Sequence, residues 1–497
     1  MKIFNAAQIR EADRLTIIRQ GISSGGLMER VGNEVYLWLK NRFPDKETVF
    51  HVFCGKGNNG GDGLVIARLL RNDKYTLHLT IAGENTPSPD FAANLEKINR
   101  EGIPYNTTTE ISSYGKGKAV VVDALFGTGL TREPAGEYKG IIEKINNSGA
   151  YVVSVDVPSG LFLDRPTGFA VKADEVLTFQ FPKLAFFLPG NYRYINKMHI
   201  IDIGLDKDFI NDTVTGYYFT DKFEAYRLYR PVPYYAHKGT RGHVLVIGGS
   251  YGKTGAVHLA ARAALTSGCG LVTALVPQCG YVPLQASFPE AMVLTNGETH
   301  LQEIAFALKP AAIAIGPGMG TDEETQQALH NFLFDNKIPM VVDADALNIL
   351  SENLQWLELL PPKSVITPHP KELERLMGTW NDDFDKIDKL KAFSKKHSVI
   401  IVAKDARTLV VNGDAVYVNS TGNAALATGG SGDVLAGLIT GLIAQQYTPA
   451  DAAVFGVYLH GLSADIGVAE TGTQAFTASS ILHYLGRAYL QAESSCQ

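Results

Sequence analysis

The stretch that decides the fold of the first half runs from residue 48 to residue 72, TVFHVFCGKGNNGGDGLVIARLLRN. Its apolar beginning, Thr48–Cys54, predicts a buried strand, and its amphipathic end, Gly63–Asn72, predicts a helix. Between them, glycines alternate with Asn58, Asn59 and Asp62. Glycine lets a ligand approach the backbone closely, and the free N–H groups of a helix N-terminus suit a phosphate. We therefore predict a strand, a ligand-binding turn and a helix.

The alternation of strands and helices continues on both sides of this stretch. Continuous apolar strands separated by helices are typical of a parallel sheet covered on both faces. A helical stretch, Ala6–Leu39, is predicted before the sheet. Further helices are predicted at Asp90–Glu101 and Tyr138–Ser148. The other predicted strands of this half are Tyr75–Ala82, Lys118–Leu125, Tyr151–Val157, Glu175–Phe181 and Met198–Ile203.

Two more predicted strands end in acidic and glycine-rich turns. One turn is DALFGTGL, beginning at Asp123, and the other is DVPSG, beginning at Asp156. A single aspartate at a strand end is often only a turn former. However, ligands collect at the carboxyl ends of parallel strands, and three such turns would lie on one edge of the sheet. We therefore expect a ligand site at this edge.

A second domain is predicted after an irregular segment, Asp206–Tyr235. The segment ends in the Pro-rich sequence Arg230–Pro233, which disfavours a helix and marks a boundary. Strand and helix alternation then resumes. The predicted strands are His243–Gly248, Leu271–Val276, Ala311–Ile315, Met340–Val342, Ser364–Ile366 and Val399–Ala403, and the closing helices are Gly432–Ala444, Asp451–Val468 and Ala478–Ala492.

The second half carries the sequence TGGSGD at residues 428–433, directly before an apolar helix. Glycines at a helix start form an anion pocket from backbone N–H groups. An aspartate in a first helical turn also favours the helix dipole, which is the simpler interpretation of Asp433. The complete motif nevertheless resembles the catalytic loop of ribokinase-like enzymes. In those enzymes the glycines stabilise a phosphoryl group in transfer and the aspartate takes the proton of the acceptor hydroxyl.

The first half, residues 1–215, resembles the epimerase domain of the NAD(P)H-hydrate repair family, which implies a Rossmann-like three-layer sandwich. The resemblance depends on the Asn58–Gly63 motif and the two aspartate turns. It implies a potassium ion at Asn59, Asp123 and Ser159, and contact of Asp156 with the reacting ring. Because a carboxylate within hydrogen-bond reach can transfer the hydroxyl proton, our hypothesis is that Asp156 is the general acid and base. The residues that the resemblance implies for binding the hydrated nucleotide are Asn58, Asn59, Gly60, Gly61, Asp62, Gly127, Thr128, Gly129, Leu130, Thr131, Arg132, Glu133 and Asp156.

The second half, residues 225–497, resembles the ribokinase-like dehydratase domain of the same family. Besides the glycine loop, the resemblance depends on four strand-end sequences: GGSYGKTGA from residue 248, GPGMG from 316, DADALN from 343 and TPHP from 367. It implies that Ala256, Gly318, His369 and Asp433 contact the hydrate. It implies a nucleotide site at Lys404, Asp405, Ala406, Arg407, Thr408, Asn423, Ala424, Ala425, Leu426, Ala427, Thr428, Gly429, Gly430, Ser431 and Gly432.

Three positions depart from the family pattern. Lys371 and Asp405 stand where glycine is common, and Ala424-Ala425 stands where Pro-Gly is frequent. Asp405 is the least expected, because its carboxylate would lie near a nucleotide phosphate.

The resemblance implies an isomerase joined to a lyase. The first domain would interconvert the R and S hydrates of NADH and NADPH, and the second would dehydrate the S form with ADP and magnesium, giving AMP and phosphate. One alternative is a vitamin-precursor or sugar kinase fused to a nucleotide-binding regulatory domain. Another is a ligand sensor or scaffold in the first half, for which Asp123 and Asp156 would not be needed.

The composition and charge of the chain limit the classes of partner and the cellular location that we expect. A net charge of −6 disfavours nucleic acid, which normally binds a basic face. The four cysteines show no metal-ligand spacing and fit a reducing compartment. The N-terminus has no apolar signal segment, and no uninterrupted apolar stretch of about 20 residues predicts a membrane span. We therefore expect a cytoplasmic enzyme of small-molecule substrates, NADHX and NADPHX, and a homo-oligomer.

Overall fold

The computed structural model describes residues 1–107 and 119–494. The predicted strand residue Lys118 and the cysteine Cys496 lie outside the described residues. The chain divides into two compact units, one of residues 2–215 with 382–384, the other of Met1 with 216–381 and 385–497. Residues 216–224, which stand between the two predicted domains, belong to the second unit.

The first unit is a parallel sheet alternating with helices. In its described residues, six strands lie in the order β2-β1-β3-β4-β5-β6, and every neighbouring pair is parallel. Its elements are α1 Ala6–Gln20, α2 Ser24–Arg42, β1 Val49–Cys54, α3 Asn58–Asn72, β2 Thr76–Ile81, α4 Pro89–Arg100, β3 Ala119–Ala124, α5 Glu137–Asn147, β4 Tyr151–Val155, β5 Ala173–Phe179, β6 Ile195–Ile201 and α6 Lys207–Asp212.

The second unit is a larger mixed sheet. Its described strands lie in the order β10-β9-β8-β11-β12-β13-β14-β15-β16-β7. They are parallel from β10 to β14, and β15 is antiparallel to both of its neighbours. Its elements are β7 Tyr217–Thr220, α7 Lys222–Leu228, β8 His243–Ile247, α8 Thr254–Thr266, β9 Leu271–Val276, α9 Tyr281–Ser287, β10 Met292–Thr295, β11 Ala312–Ile315, α10 Glu323–Asp335, β12 Met340–Val342, α11 Ala344–Glu352, β13 Val365–Ile366, α12 Pro370–Met377, α13 Asp383–His397, β14 Ile400–Ala403, β15 Leu409–Asn412, β16 Ala415–Asn419, α14 Ser431–Ala444, α15 Pro449–Thr471 and α16 Ala478–Ser494.

Two helix predictions in the first unit are wrong in their bounds. The stretch Ala6–Leu39 is two helices, because the chain turns at Gly21, with a φ of +64°, and restarts at the N-cap Ser23. Helix α3 begins at Asn58, not Gly63. The Asn-Asn-Gly-Gly-Asp motif therefore forms the first turns of the helix instead of a loop before it.

Helix α14 is buried almost all round. Its apolar residues Val434, Leu435, Leu438 and Ile439 are at most 3% exposed, as expected for a helix without a polar face. It packs closely on α8, where a Cβ on Gly437 would collide with the carbonyl of Ala260. The Gly-Gly-Ser-Gly-Asp loop is thus mounted on a helix whose position is fixed by the core.

Helix α15, Pro449–Thr471, is the one described helix long and apolar enough to cross a membrane by length and composition. Its most apolar window is 78% buried inside the structure, as is usual for the core helix of a folded domain. Burial explains its apolar composition without a bilayer.

Candidate functional site

A cavity of about 550 Å³ opens in the first unit at the ends of its strands. The structure brings most of the predicted epimerase residues to its wall. The predicted residues that line it are Asn58, Asn59, Asp62, Gly127, Thr128, Gly129, Leu130, Thr131, Arg132 and Asp156. Gly60, Gly61 and Glu133 are not among the lining residues. The two glycines of this group have a packing role instead.

Gly60 and Gly61 let helix α3 approach the rest of the site. A Cβ on Gly60 would collide with the carbonyl oxygen of Gly55, and one on Gly61 would lie 2.6 Å from the sulfur of Met28. A side chain at Gly60 would push the helix start away from Gly55, directly after β1, and one at Gly61 would displace the Met28 side chain of α2. The glycines therefore set where Asn58, Asn59 and Asp62 stand.

Asp156 stands directly after β4 in a left-handed backbone conformation, with a φ of +64°. Such a conformation is costly for a non-glycine residue and is common at functional sites. One carboxylate oxygen, Oδ2, accepts the N–H of Thr128 at 3.2 Å, and the other, Oδ1, lies 2.9 Å from the ammonium of Lys183. Lys183 also donates to Thr178 Oγ1 at 2.6 Å and is 1% exposed. Asp156 is thus an ion-paired carboxylate at the cavity wall.

Two of the predicted cation ligands, Asp123 and Ser159, are hydrogen-bonded to each other, and the third, Asn59, lines the cavity. Asp123 is fully buried, and its carboxylate accepts the hydroxyl of Ser159 at 2.5 Å, the N–H of Ser159 at 2.9 Å and the hydroxyl of Ser154 at 2.7 Å. The Asn59 amide is also buried, and its Nδ2 has no hydrogen-bond partner among the described residues. A buried polar atom without a partner is costly. The Asn59 amide is therefore available to bind a further polar species.

Two more carboxyls line the cavity. Burial, followed by the charge of Asp156, raises the pKa of Asp13 to about 6. The same two causes raise the pKa of Asp62 well above its ordinary value. Asp13 comes from helix α1, which sequence reasoning assigned no part in the site.

In the second unit, charged side chains gather at the ends of three neighbouring strands. Asp343, after β12, accepts the hydroxyl of Thr367 at 2.7 Å and the ammonium of Lys404 at 3.0 Å on the same oxygen. Burial lowers the pKa of Lys404, but the charges of Asp343 and Glu372 outweigh it, so that the pKa is raised. Lys404 therefore stays an ammonium ion.

Asp433 lies in the first turn of α14 beside this group. Burial and then the nearby charge of Asp343 raise its pKa to about 7, against the opposing charge of Lys404. A Cβ on the neighbouring Gly432 would lie 3.2 Å from Lys404 Nζ, so the glycine keeps the ammonium accessible. A carboxyl with a pKa near neutrality can accept a proton and release it again, as a general base must.

The other predicted hydrate contacts are placed as follows. Gly318 and Ala256 are neighbours, since a Cβ on Gly318 would lie 3.2 Å from the Ala256 methyl group. His369 caps helix α12 through its Nδ1 atom, which accepts the N–H groups of Lys371 and Glu372. Burial, followed by the charge of Lys404, lowers the pKa of His369. His369 is thus a helix cap at the edge of the charged group.

The structure accounts for the unexpected Asp405. Its Oδ2 lies 3.2 Å from the ammonium of Lys386 on helix α13, and its Oδ1 accepts the N–H of Ala406 at 2.7 Å. The carboxylate is therefore neutralised within the protein and does not present a free negative charge. Nearby, Arg407 donates to the carbonyl of Ser420 at 2.8 Å.

The rest of the predicted nucleotide segment is held by two residues of α15. Asp465 accepts the N–H of Gly422 and the amide of Asn423, each at 2.8 Å. The Ser431 hydroxyl lies 3.3 Å from Nε2 of His460. The side chains of Ala425 and Ser431 are buried, so these two could offer a nucleotide only backbone atoms.

Sequence reasoning missed Lys183, Asp13 and Asp465. A signal was present for Lys183, since it follows β5 and a fourth strand end belongs to the same edge of the sheet. No signal pointed to Asp13 or Asp465, because aspartates within helices are ordinarily solvated.

Two family models match the chain. The model described as "YjeF-related protein N-terminus" matches residues 24–185. The model described as "NAD(P)H-hydrate dehydratase" matches residues 244–487. The first match lies within the first unit and includes Asp156. The second lies within the second unit except for residues 382–384, and it includes Asp433.

Curated relatives match the chain almost from end to end. The bifunctional NAD(P)H-hydrate repair enzyme Nnr of Coxiella burnetii is 35% identical, covering 97% of this chain and 98% of its own. The enzyme of the same name from Escherichia coli K12 is 33% identical, covering 98% and 93%. The chain belongs to the bifunctional NAD(P)H-hydrate repair enzyme family. This confirms the resemblance predicted from the two glycine motifs, and it does not favour the kinase alternative.

Among solved structures, the chain is similar to the ADP/ATP-dependent NAD(P)H-hydrate dehydratase of Bacillus subtilis, co-crystallised with ATP and Mg²⁺. The identity is 27%, the TM-score is 0.49, and the match covers 56% of this chain and 99% of that one. The predicted class, two α/β domains, is confirmed by the strand pairing of this repair enzyme, since the first sheet is parallel and the second is parallel from β10 to β14.

Proposed function

We propose that the two activities of this repair enzyme are divided between its units. The first unit interconverts the R and S hydrates of NADH and NADPH at the Asp156 cavity. The second dehydrates the S hydrate with ADP at the Asp433 helix start. The observation that carries the proposal is that each unit has its own site with its own carboxyl, the buried Asp156 after β4 in one and the half-buried Asp433 at the start of α14 in the other.

The chemistry of the first unit is proton transfer. The hydrate carries its hydroxyl on C6, beside the ring nitrogen, and is therefore a hemiaminal whose hydroxyl can leave and return. Asp156 lines the cavity, and its carboxylate is held by Thr128 and Lys183. A positioned carboxylate can move the hydroxyl proton as general acid and base.

The first unit also fits a potassium ion. Asn59, Asp123 and Ser159 would hold it through amide, carboxylate and hydroxyl oxygens. The buried amide of Asn59 has no hydrogen-bond partner among the described residues, and turning it over presents its oxygen. When bound, the ion would supply positive charge that offsets the burial of the Asp123 carboxylate.

The chemistry of the second unit is activation of a leaving group. Asp433 takes the proton of the C6 hydroxyl while the backbone N–H groups at the start of α14 hold the transferring phosphoryl group. The ammonium of Lys404 adds positive charge beside Gly432 at this helix start. Hydroxide leaves poorly and phosphate leaves well, so a phosphorylated hydrate then loses phosphate to restore the dihydropyridine.

We infer that ADP binds at 404–408 and 423–432 with magnesium. In the described residues, no three His, Cys, Asp or Glu side chains are grouped as a metal site. A magnesium ion that arrives on nucleotide phosphates needs only one or two protein carboxylates. The neutralised Asp405 supports an anionic ligand here.

The experiment that tests this function is incubation with mixed hydrate epimers and ADP, followed by epimer-resolved chromatography. Both epimers should disappear, with AMP and phosphate formed in equal amounts. A stable phosphoester would instead indicate a small-alcohol kinase, and an unchanged mixture would indicate a scaffold. Repeating the assay with ATP measures the nucleotide preference.

We also infer a cytoplasmic location, which is supported by the free, buried thiols Cys54 and Cys269. The homo-oligomer stays a prediction, and light scattering of the purified chain measures it.

A further inference from the structure

Helix α1 carries an acidic residue in an unusual position. Asp13 is the eighth of the fifteen residues of α1, so it serves neither the first turn nor an N-cap. Aspartate is a poor residue for a helix interior. Its side chain lines the epimerase cavity. Packing and helix stability therefore give no reason for an aspartate here.

Asp13 also has no ordinary partner. Across residues 1–107 and 119–494, no group donates a hydrogen bond to its carboxyl and no cation lies within ion-pair distance. Glu11, on the same helix, is paired with Arg14 at 2.7 Å. A partly buried carboxyl that lacks a partner is costly as an anion, and it is retained where its proton is useful.

The cavity brings Asp13 near the ion pair of Asp156 and Lys183. The pKa of Asp13 is raised to about 6, first by burial and then by the charge of Asp156. The charge of Lys183 acts in the opposite direction and lowers it. Asp156, by contrast, is an ion-paired carboxylate. Two carboxyls in such different surroundings at one cavity, one without a partner and one ion-paired, are the arrangement that separates an acid from a base.

We propose that Asp13 is a second catalytic residue of the epimerase, acting as the acid while Asp156 acts as the base. The proposal rests on the epimerase function proposed above for the first unit. Asp62 also lines the cavity, but its pKa is raised well above the ordinary value.

The proton transfers balance as follows. The Asp13 acid donates its proton to the C6 hydroxyl, the C6–O bond breaks with its electron pair leaving on water, and the lone pair of N1 forms an iminium bond to C6. Water then adds to the other face of C6, its proton passes to the Asp156 carboxylate, and the pair returns to N1. Proton exchange with solvent restores both carboxyls.

The test replaces Asp13 by Asn in the full chain and follows R-to-S conversion by epimer-resolved chromatography. We expect kcat to fall about 10²-fold, the usual scale for a positioned acid, with KM changed less than about threefold. S-hydrate dehydration, which uses the other unit, should be unchanged. The matched control is Glu11→Gln, which removes a charge from the same helix in an exposed pair and should leave the epimerase at the wild-type rate.

A wild-type kcat in Asp13→Asn would overturn the proposal, and so would a loss that appears only in KM. If Asp13→Asn also melts at a lower temperature, Asp13→Glu decides the matter. It keeps the acid, and it should recover at least about a tenth of the wild-type kcat; a refolded but inactive Glu variant would count against the role. Absence of epimerisation in the wild type itself would contradict the proposed function instead.

Discussion

The ammonium of Lys183 lies 2.9 Å from Oδ1 of Asp156, and both side chains are almost withdrawn from water at the wall of the epimerase cavity. Removing one member of a buried pair leaves the other charge without compensation, at a cost of about 3–5 kcal/mol. The pair therefore fixes both the position and the charge of the proposed base.

We expect Lys183→Met to reduce epimerisation at least about 10²-fold, because the Asp156 carboxylate loses its partner. The free energy of unfolding of the first unit should also fall, which thermal melting measures. Lys172→Met, at an exposed position after Val171, is the matched control. A Lys183 variant with the wild-type rate would show that the pair has only a structural part.

Asp433→Asn should separate the two activities. The N–H groups at the start of α14 remain, so ADP binding should persist, while dehydration falls about 10²-fold or more. R and S hydrates should still equilibrate while total hydrate stays constant. Asp451→Asn, in the first turn of α15, is the control for removing a helix-start carboxylate. Consumption of hydrate at the wild-type rate would contradict the role of Asp433 as base.

The pKa of Asp433 near 7 predicts two pH effects. First, kcat/KM for dehydration should fall as the pH drops below about 7, because the base becomes protonated. Second, a raised carboxyl pKa makes the folded state bind more protons than the unfolded state, so its contribution to stability is lost as the pH rises from about 4 to 7. Asp433→Asn should therefore melt higher than the wild type at pH 8, and the difference should shrink towards pH 4. If Asp433→Asn and the wild type melted at the same temperature at pH 8 as well as at pH 4, the raised pKa of Asp433 would be contradicted.

The cation site predicts a dependence on potassium. Asp123→Ala should weaken epimerisation and leave S-hydrate dehydration intact. In the wild type, potassium should raise the melting temperature of the first unit at constant ionic strength, with choline as the comparison ion, and Asn59→Ala should abolish that shift. Equal loss of both activities with an intact fold, or a shift that persists in Asn59→Ala, would count against the site.

The pair of Lys386 and Asp405 predicts an effect on the nucleotide. Lys386→Met frees the Asp405 carboxylate beside the proposed phosphate site, and KM for ADP should rise several-fold through repulsion. Adding Asp405→Gly to that variant should restore the wild-type KM. A KM that the double variant leaves raised would indicate that Lys386 itself contacts the nucleotide.

Much of the first sheet could be predicted from the sequence, because β1, β3 and β4 are mainly apolar, β-branched or aromatic runs that are typical of buried strands. Strands β15 and β16 were missed, although the two-residue connection Gly413-Asp414 between them is a hairpin signal. Strand β7 could not be predicted from its few mixed residues, since its pairing with β16 is a long-range contact. β10 is similarly short and half exposed.

The residues of the proposed sites likewise include some that the sequence predicts and some that it does not. The glycine motif of the first unit carries its own signal, because a Cβ on Gly60 would collide with the nearby Gly55 carbonyl. Lys183 and Asp13 reach the cavity from elements far apart in sequence, and only the tertiary structure brings them beside Asp156. Local sequence patterns therefore indicate which backbone segments bind a ligand. They do not indicate which side chains from distant parts of the sequence join the same site.

Because Asp433 is mounted on α14, its position depends on contacts deep in the core. Gly437 lies one helical turn beyond it, against the carbonyl of Ala260. An added methyl group there would tilt the helix and displace the carboxylate without touching any ligand. In a mutational scan, substitutions of the buried residues of α14 should thus reduce dehydratase activity even where they contact no ligand. The turnover rate would then depend on how well the core is packed.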